Sequence, residues 1–161
     1  MEKNRNKKIK FPGMRVVKTV ISVYICFLIS FIRKTSPFYS AIASILCMQN
    51  SHDDSIKVGK SRMIGTIIGA LYGLVAIIII EIFHIKLLNY AYYLILALLM
   101  IPIIYTNVYF KVQSSTYISC VVFLSITVSH GKDVAPMLFA LNRVIDTFIG
   151  IFVSLIINKI I

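Results

Sequence analysis

Apolar residues occur along the chain in six runs separated by short polar breaks. The runs are Val16–Ile32, Pro37–Met48, Met63–Phe83, Leu87–Tyr105, Val112–Val128 and Met137–Ile157. A helix needs about 20 residues to cross the hydrocarbon core of a bilayer, within a range of about 17–25. Five runs meet that length, and the 12 residues of Pro37–Met48 predict a short buried span or half of a broken one. The pattern predicts an all-α integral membrane protein with six membrane segments.

Composition agrees with this prediction. The 161 residues are 58% apolar and 14% charged, and the mean hydropathy is +0.87. Soluble domains are about 45–50% apolar and about 25% charged, and a chain this short has too little interior to hide the excess. These values exclude a soluble enzyme, a disordered tail and a secreted disulfide scaffold. We expect a basic cytoplasmic tail over 1–14 and a single membrane domain over 15–161.

The charge pattern predicts the orientation. There are 17 Lys and Arg against 6 Asp and Glu. With six crossings and a cytoplasmic N-terminus, the cytoplasmic side receives 12 basic residues and the outer side five, as the positive-inside rule favours. Seven of the 17 basic residues lie before or at the start of the first run. At that position we expect them to bind anionic lipid headgroups rather than nucleic acid. We therefore expect a multi-pass plasma-membrane protein with its N-terminus in the cytoplasm.

Three short motifs occur twice in the same order. They are Ser36-x-x-Tyr39 with Ser114-x-x-Tyr117, Ser51-His52 with Ser129-His130, and Arg62-x-x-Gly65-Thr66-x-x-Gly69 with Arg143-x-x-Asp146-Thr147-x-x-Gly150. The offset is 78 residues for the first two and 81 for the third. Each copy, over 15–83 and 87–161, holds three segments, so the second must enter from the opposite side. Such inverted repeats are typical of transporters, whose sites lie where short or interrupted helices meet.

Charged residues inside the apolar runs are the first candidates for chemistry, because a charge is costly there. Arg143 and Asp146 lie on one face of the last run. They predict either a self-neutralising structural pair or an anion site in which Asp146 tunes Arg143 or carries a proton. Arg62, the repeat counterpart of Arg143, either extends to the cytoplasmic interface or attracts an anion.

Small and hydroxyl residues give two further predictions. Gly65, Gly69 and Gly73 recur every four residues, and with Gly150 they predict close helix or subunit packing. The fifth run is the most polar, and its Ser114, Ser115 and Tyr117, with Tyr39 as the repeat counterpart of Tyr117, would either line a wet path for a flat organic anion or pack helices.

The sequence lacks the residue clusters that an enzyme or a metal site would need. Glu81-x-x-His84 resembles half of a di-iron motif without the further carboxylates, and His52-Asp53-Asp54 has no second acidic cluster. Cys26, Cys47 and Cys120 lie in apolar runs without paired spacing. We expect no catalytic residues, no metal and no cofactor.

The repeated motifs, with the residues around them, resemble the aromatic acid exporter family within the broader fusaric-acid-resistance group. The matching residues are Pro12-Gly13-Met14-Arg15, Ser36-Pro37-Phe38-Tyr39-x-Ala41-Ile42-Ala43, Gly59-Lys60-x-Arg62-x-x-Gly65-Thr66-x-x-Gly69 and Asn142-Arg143-x-x-Asp146-Thr147-x-x-Gly150. The likeness covers nearly the whole of this membrane domain. It implies export of carboxylated aromatics or similar organic anions, and dimers in related plant proteins.

Two functions follow from these observations. The first is a membrane permease or exporter of organic anions, with aromatic carboxylic acids as candidate substrates. The alternative is a non-transporting membrane scaffold or assembly subunit. A water-filled cavity reaching Arg143 would favour the first, and a dry, packed interior the second. The small size of the chain and the glycine face predict a homo-oligomer, a dimer or larger.

Overall fold

A computed structural model describes residues 13–82, 90–129 and 136–161. Over these ranges all regular structure is helical, as the sequence predicts: α1 (Met14–Arg33), α2 (Phe38–Cys47), α3 (His52–Ile82), α4 (Tyr90–Tyr109), α5 (Thr116–Leu124) and α6 (Pro136–Ile160). A 3₁₀ turn, Gln113–Ser115, precedes α5, and a π-helical segment, Ser125–Ser129, follows it. The tail over 1–12 and the residues His84, Lys86, His130 and Lys132 lie outside the described residues.

Four helices in the described part are long and apolar enough to cross a membrane. They are Met14–Arg33, His52–Ile82, Tyr92–Tyr109 and Met137–Ile160. The apolar helices Phe38–Cys47 and Gln113–Val128 are shorter. The expectation that the fifth run has full spanning length is therefore not confirmed. Its helix changes type at both ends, and in the π-helical segment the carbonyl of Thr127 accepts a hydrogen bond from the Tyr92 hydroxyl at 2.7 Å. A buried partner of this kind satisfies backbone polar groups away from water.

Helix α3 begins well before its apolar run. The polar stretch Asn50–Arg62 is predicted as a break, but the helix starts at His52. Ser51 caps it: its Oγ accepts a hydrogen bond from the Asp54 backbone amide at 3.1 Å, the side-chain cap of a helix N-terminus, and donates one to the Asp54 carboxylate at 2.7 Å. Arg62 consequently lies ten residues, or about 15 Å, inside a helix.

The two halves of the chain pack in matching ways. Helix α2 packs against α6 while α5 packs against α3; α1 flanks α2 and α6 while α4 flanks α5 and α3; and α3 contacts α6 at the centre. Exchanging the halves reproduces these pairings. In addition, the two non-glycine residues with positive φ in the described ranges are Lys34, just after α1 (53°), and Lys111, just after α4 (57°).

Glycines bring α5 against α3 and α2 against α6. A Cβ on Gly69 would overlap the Ser119 carbonyl of α5, and one on Gly150 would overlap the Ser40 carbonyl of α2. On Gly65 it would lie 2.7 Å from the Ser115 carbonyl, and on Gly73 3.2 Å from Ile126. The face of Gly65, Gly69 and Gly73 is thus covered by the same chain and is not free for a second subunit.

Polar groups gather inside the bundle and large apolar side chains point outward. Asn107 bonds the Ser115 hydroxyl at 2.9 Å, and Asn158 donates to Ser55 at 2.8 Å, all four side chains being buried. Large apolar side chains such as Phe31 on α1 are exposed on the outside. This distribution suits a lipid surround, since hydrocarbon covers apolar side chains and leaves polar groups to satisfy one another.

Candidate functional site

A cavity of about 450 Å³ lies between α2, α3, α5 and α6. The two short helices form its facing walls, α2 with residues 38–46 and α5 with residues 117–122. The long helices each contribute one arginine. The lining residues are Phe38, Tyr39, Ile42, Leu46, Arg62, Tyr117, Ile118, Val121, Val122, Ser125 and Arg143. We call it the arginine cavity.

Arg143 reaches the arginine cavity from α6. Only 8% of the residue is exposed. Its guanidinium carbon lies 3.4 Å from the centroid of the Tyr39 ring, a stacking contact that attracts a cation to the ring face. Among the described residues, the buried Nε of Arg143 has no hydrogen-bond partner. Tyr39 is itself held by an edge contact with Phe139, with 5.9 Å between ring centroids, and its hydroxyl lies 3.3 Å from Ser125 Oγ.

Arg62 enters the same cavity from α3. It is 7% exposed, and its Nε is also buried without a hydrogen-bond partner. The reading of Arg62 as a side chain that extends to the interface is therefore wrong. Sequence reasoning placed it at the edge of an apolar run, whereas the capped start of α3 carries it into the bundle.

Neither cavity arginine is paired with a carboxylate in the described part of the chain. The ion pairs over residues 13–82, 90–129 and 136–161 are Arg33–Asp146 and Lys57–Asp54. Asp146 is buried, and the end of α1 brings Arg33 onto it. The proposed self-neutralising pair of Arg143 and Asp146 is therefore not formed, and two guanidinium groups share one cavity.

The remaining predicted residues divide among three places. Tyr117 lines the arginine cavity. Ser114 lines a neighbouring pocket, where it accepts a hydrogen bond from Ser61 at 3.0 Å. Ser115 is buried away from both, donating to Asn107 and to the Val112 carbonyl.

Sequence reasoning missed the apolar lining residues Phe38, Ile42, Leu46 and Val121. The four-residue spacing of these positions could have identified them. Tyr117, Val121 and Ser125 recur every four residues, as do Phe38, Ile42 and Leu46, so each set follows one face of its helix. Reading the two short segments as facing walls would have picked out these sets.

The arginine cavity suits a small organic anion. Each guanidinium can bind a carboxylate through two parallel N–H donors, and the aromatic and aliphatic walls match an apolar body. No group of three or more His, Cys, Asp or Glu that could hold a metal occurs among the described residues.

Comparison with known proteins gives one match. Neither the curated proteins nor the solved structures contain a chain that matches this one. The family model described as aromatic acid exporter family member 1 matches residues 10–161, in agreement with the resemblance carried by the repeated motifs. The chain therefore belongs to the aromatic acid exporter family, a family of membrane exporters.

Proposed function

We propose that this protein exports organic anions, with aromatic carboxylates as substrates, and that they bind in the arginine cavity. The observation that carries the proposal is the pair of buried arginines, Arg62 and Arg143, which face one cavity without a carboxylate partner among the described residues. A buried charge without a counter-ion is costly. A bound anion would supply that counter-ion, so the site favours an anionic ligand over a neutral one.

The wall chemistry supports a flat aromatic body. Phe38, Tyr39 and Tyr117 offer ring surfaces, while Ile42 and Val121 add aliphatic contacts. Aromatic rings prefer offset or edge contacts with one another. A benzoate-like ligand would place its carboxylate at the arginines and its ring between α2 and α5.

The non-transporting scaffold is the weaker alternative. It predicts a dry and fully packed interior, because a structural subunit has no need for a solvent-sized space. A cavity of about 450 Å³ with two arginines at its wall favours the exporter instead.

The proposal includes six crossings arranged as two inverted three-helix repeats. The matched helix pairings and the matched left-handed lysines, Lys34 and Lys111, support it. In such transporters the site lies at the repeat interface between discontinuous helices, which is the position of the arginine cavity between α2 and α5. The basic N-terminal segment supports a cytoplasmic N-terminus in the plasma membrane.

A homo-oligomer stays a prediction that rests on the small size of the chain. Its second support, the face of Gly65, Gly69 and Gly73, is lost because α5 covers that face. Cross-linking in native membranes would establish the number of copies.

Salicylate is a suitable probe because it is a fluorescent aromatic carboxylate and the chain has no Trp. We expect purified protein in detergent to bind salicylate, and proteoliposomes to take it up. The double substitution Arg62→Gln with Arg143→Gln should abolish both, whereas Lys60→Gln, on an exposed position of the same helix, should change neither. Equal binding by the parent and the doubly substituted protein would refute the site.

A further inference from the structure

A second pocket of about 260 Å³ adjoins the arginine cavity. Lys57, Val58 and Ser61 of α3 line it, together with Ser114 and Tyr117 at the start of the α5 segment. Tyr117 also lines the arginine cavity, so the two spaces share one aromatic side chain as their boundary. We call this second pocket the vestibule.

The vestibule offers one cationic side chain and two hydroxyl groups beside the arginine cavity. Lys57 and Ser61 are four residues apart and lie on one face of α3, and Arg62 follows directly. The Ser61 hydroxyl donates to Ser114 Oγ at 3.0 Å. Lys57 is 77% exposed, and its contact with Asp54 is 3.5 Å long. Exposed pairs of this kind are weak, so the ammonium group can attract another anion.

Side chains pack around Arg143 where it lines the arginine cavity. Arg143 stacks on Tyr39, and Tyr39 meets Phe139 edge to face. One turn further along α6, Asp146 is bound by Arg33 from the end of α1. These contacts join α1, α2 and α6, while the vestibule lies near the start of α3.

We propose that the vestibule is the route by which organic anions reach the arginine cavity, and that Tyr117 is the gate between them. The proposal rests on the proposed function, because it assigns a route to the same ligand. Lys57 raises the local concentration of anions, the two serines bind the carboxylate in transit, and movement of the Tyr117 ring admits it to Arg62. In the predicted orientation this route opens to the cytoplasm, the side from which an exporter must load.

The electrostatic part is tested with a cysteine in the vestibule. The three native cysteines are buried, so Ser114→Cys supplies the reactive thiol. We compare a methanethiosulfonate reagent that carries a sulfonate with one that carries a trimethylammonium group. The ratio of the sulfonate rate to the trimethylammonium rate should be higher at Ser114→Cys than at Lys60→Cys. We expect a preference of about tenfold, because one unit charge about 6 Å away in water changes each rate about threefold and the two reagents carry opposite charges.

The preference should vanish when Lys57→Gln is added and persist with Lys60→Gln. If Ser114→Cys does not fold, Ser61→Cys on the facing wall serves the same purpose. An unreactive thiol in a folded protein, or equal rates for the two reagents, overturns the proposal.

The route itself is tested by blocking it. After complete labelling of Ser114→Cys, the initial rate of salicylate uptake into proteoliposomes should fall at least severalfold, whereas labelling of Lys60→Cys should leave it unchanged. Unchanged uptake through a fully labelled vestibule would overturn the route and leave the arginine site standing. If the unlabelled parent neither binds nor takes up salicylate, the proposed function fails, and the vestibule is then judged by its charge preference alone.

Discussion

Arg143 combines three features that separate a binding residue from a structural one. It is buried, it stacks on Tyr39, and its Nε lacks a partner. A structural arginine would normally satisfy its donors within the protein, because a buried unpaired donor costs about 1–3 kcal/mol. At Arg143 the neighbouring acid is already bound by Arg33. The guanidinium is thus free to bind an exogenous carboxylate.

Arg143→Lys should weaken salicylate binding about tenfold, which corresponds to about 1.4 kcal/mol. Lysine keeps the charge but loses the planar fork that binds a carboxylate through two hydrogen bonds. The melting temperature in detergent should change little, because no ion pair is broken. Fluorescence titration of parent and variant measures the difference. Normal affinity in a stable Arg143→Lys protein would remove the bidentate role.

Asp146→Asn should instead lower stability, because it leaves Arg33 without its carboxylate. Breaking a fully buried pair costs about 3–5 kcal/mol, but Arg33 is 26% exposed and part of its charge is solvated, so we expect about 1–3 kcal/mol. Adding Arg33→Gln should recover part of the loss. Thermal unfolding in detergent measures both variants.

Asp53→Asn is the matched control for this experiment. Asp53 lies in the exposed first turn of α3, and its neutralisation should change stability by less than about 0.5 kcal/mol. A melting temperature for Asp146→Asn equal to that of Asp53→Asn would show that the ion pair with Arg33 adds nothing.

The sequence singled out Arg143, Arg62 and Tyr39 but could not assign their partners. An arginine and an aspartate three residues apart on a helix face predict a local pair. Asp146 instead pairs with Arg33, which is 113 residues away in sequence, because α1 packs against α6. Such a long-range contact has no signature in local spacing, and only the assembled helices show that Arg143 makes no ion pair within the described residues.

Helices α2 and α5 each approach a long helix closely at a glycine. Gly150 lets the backbone of α2 approach α6, and Gly69 does the same for α5 on α3. These contacts fix the two walls of the arginine cavity. The close approach is therefore both a packing feature and the means by which aromatic side chains are presented to the arginines.

Gly150→Ala and Gly69→Ala should each destabilise the protein. An added Cβ would meet a backbone carbonyl, which cannot move as a side-chain end can. Overpacking costs about 1–3 kcal/mol, more than the roughly 1 kcal/mol that Ala gains over Gly in a helix. Because a cavity wall is displaced, salicylate affinity should fall together with the melting temperature.

Gly13→Ala provides the control, since a Cβ there would meet no atom of the described residues within 4 Å. Its effect should be limited to about 0.5–1 kcal/mol, because Ala is a poorer N-cap residue than Gly. If the Gly69 and Gly150 variants were as stable as Gly13→Ala, the close contacts would tolerate a methyl group, and the account of the cavity walls would be wrong.

Hydropathy predicted the helices better than it predicted their ends. Helices α1, α4 and α6 match apolar runs to within a few residues. It failed at α3, where the Ser51 side-chain cap in a polar stretch starts the helix early, because capping depends on side-chain geometry rather than on hydropathy. It also failed at α5, where 3₁₀ and π-helical segments flank a nine-residue helix, since apolar composition does not distinguish helix types.

As a whole, the molecule places two equivalent groups of three helices around one charged cavity. Each group contributes an arginine from its third helix and an aromatic wall from its second. If the proposed inverted repeat is present, movement of one group against the other exposes the cavity to either side in turn, as in other inverted-repeat transporters. The family membership and the cavity chemistry therefore agree on an exporter, while the inverted arrangement makes a separate prediction about topology.

That prediction concerns Lys34 and Lys111, which follow the first helix of each group and share a left-handed conformation. If the repeats are inverted and the N-terminus is cytoplasmic, Lys34 faces outward and Lys111 faces the cytoplasm. Cysteines at these exposed positions should then differ in intact cells: a membrane-impermeant thiol reagent should label Lys34→Cys and should label Lys111→Cys only after permeabilisation. Lys57→Cys, on the predicted cytoplasmic side, should behave like Lys111→Cys. Labelling of Lys34→Cys and Lys111→Cys from the same side would refute the inverted repeat, because two groups with the same orientation cannot present equivalent residues to opposite faces of a membrane.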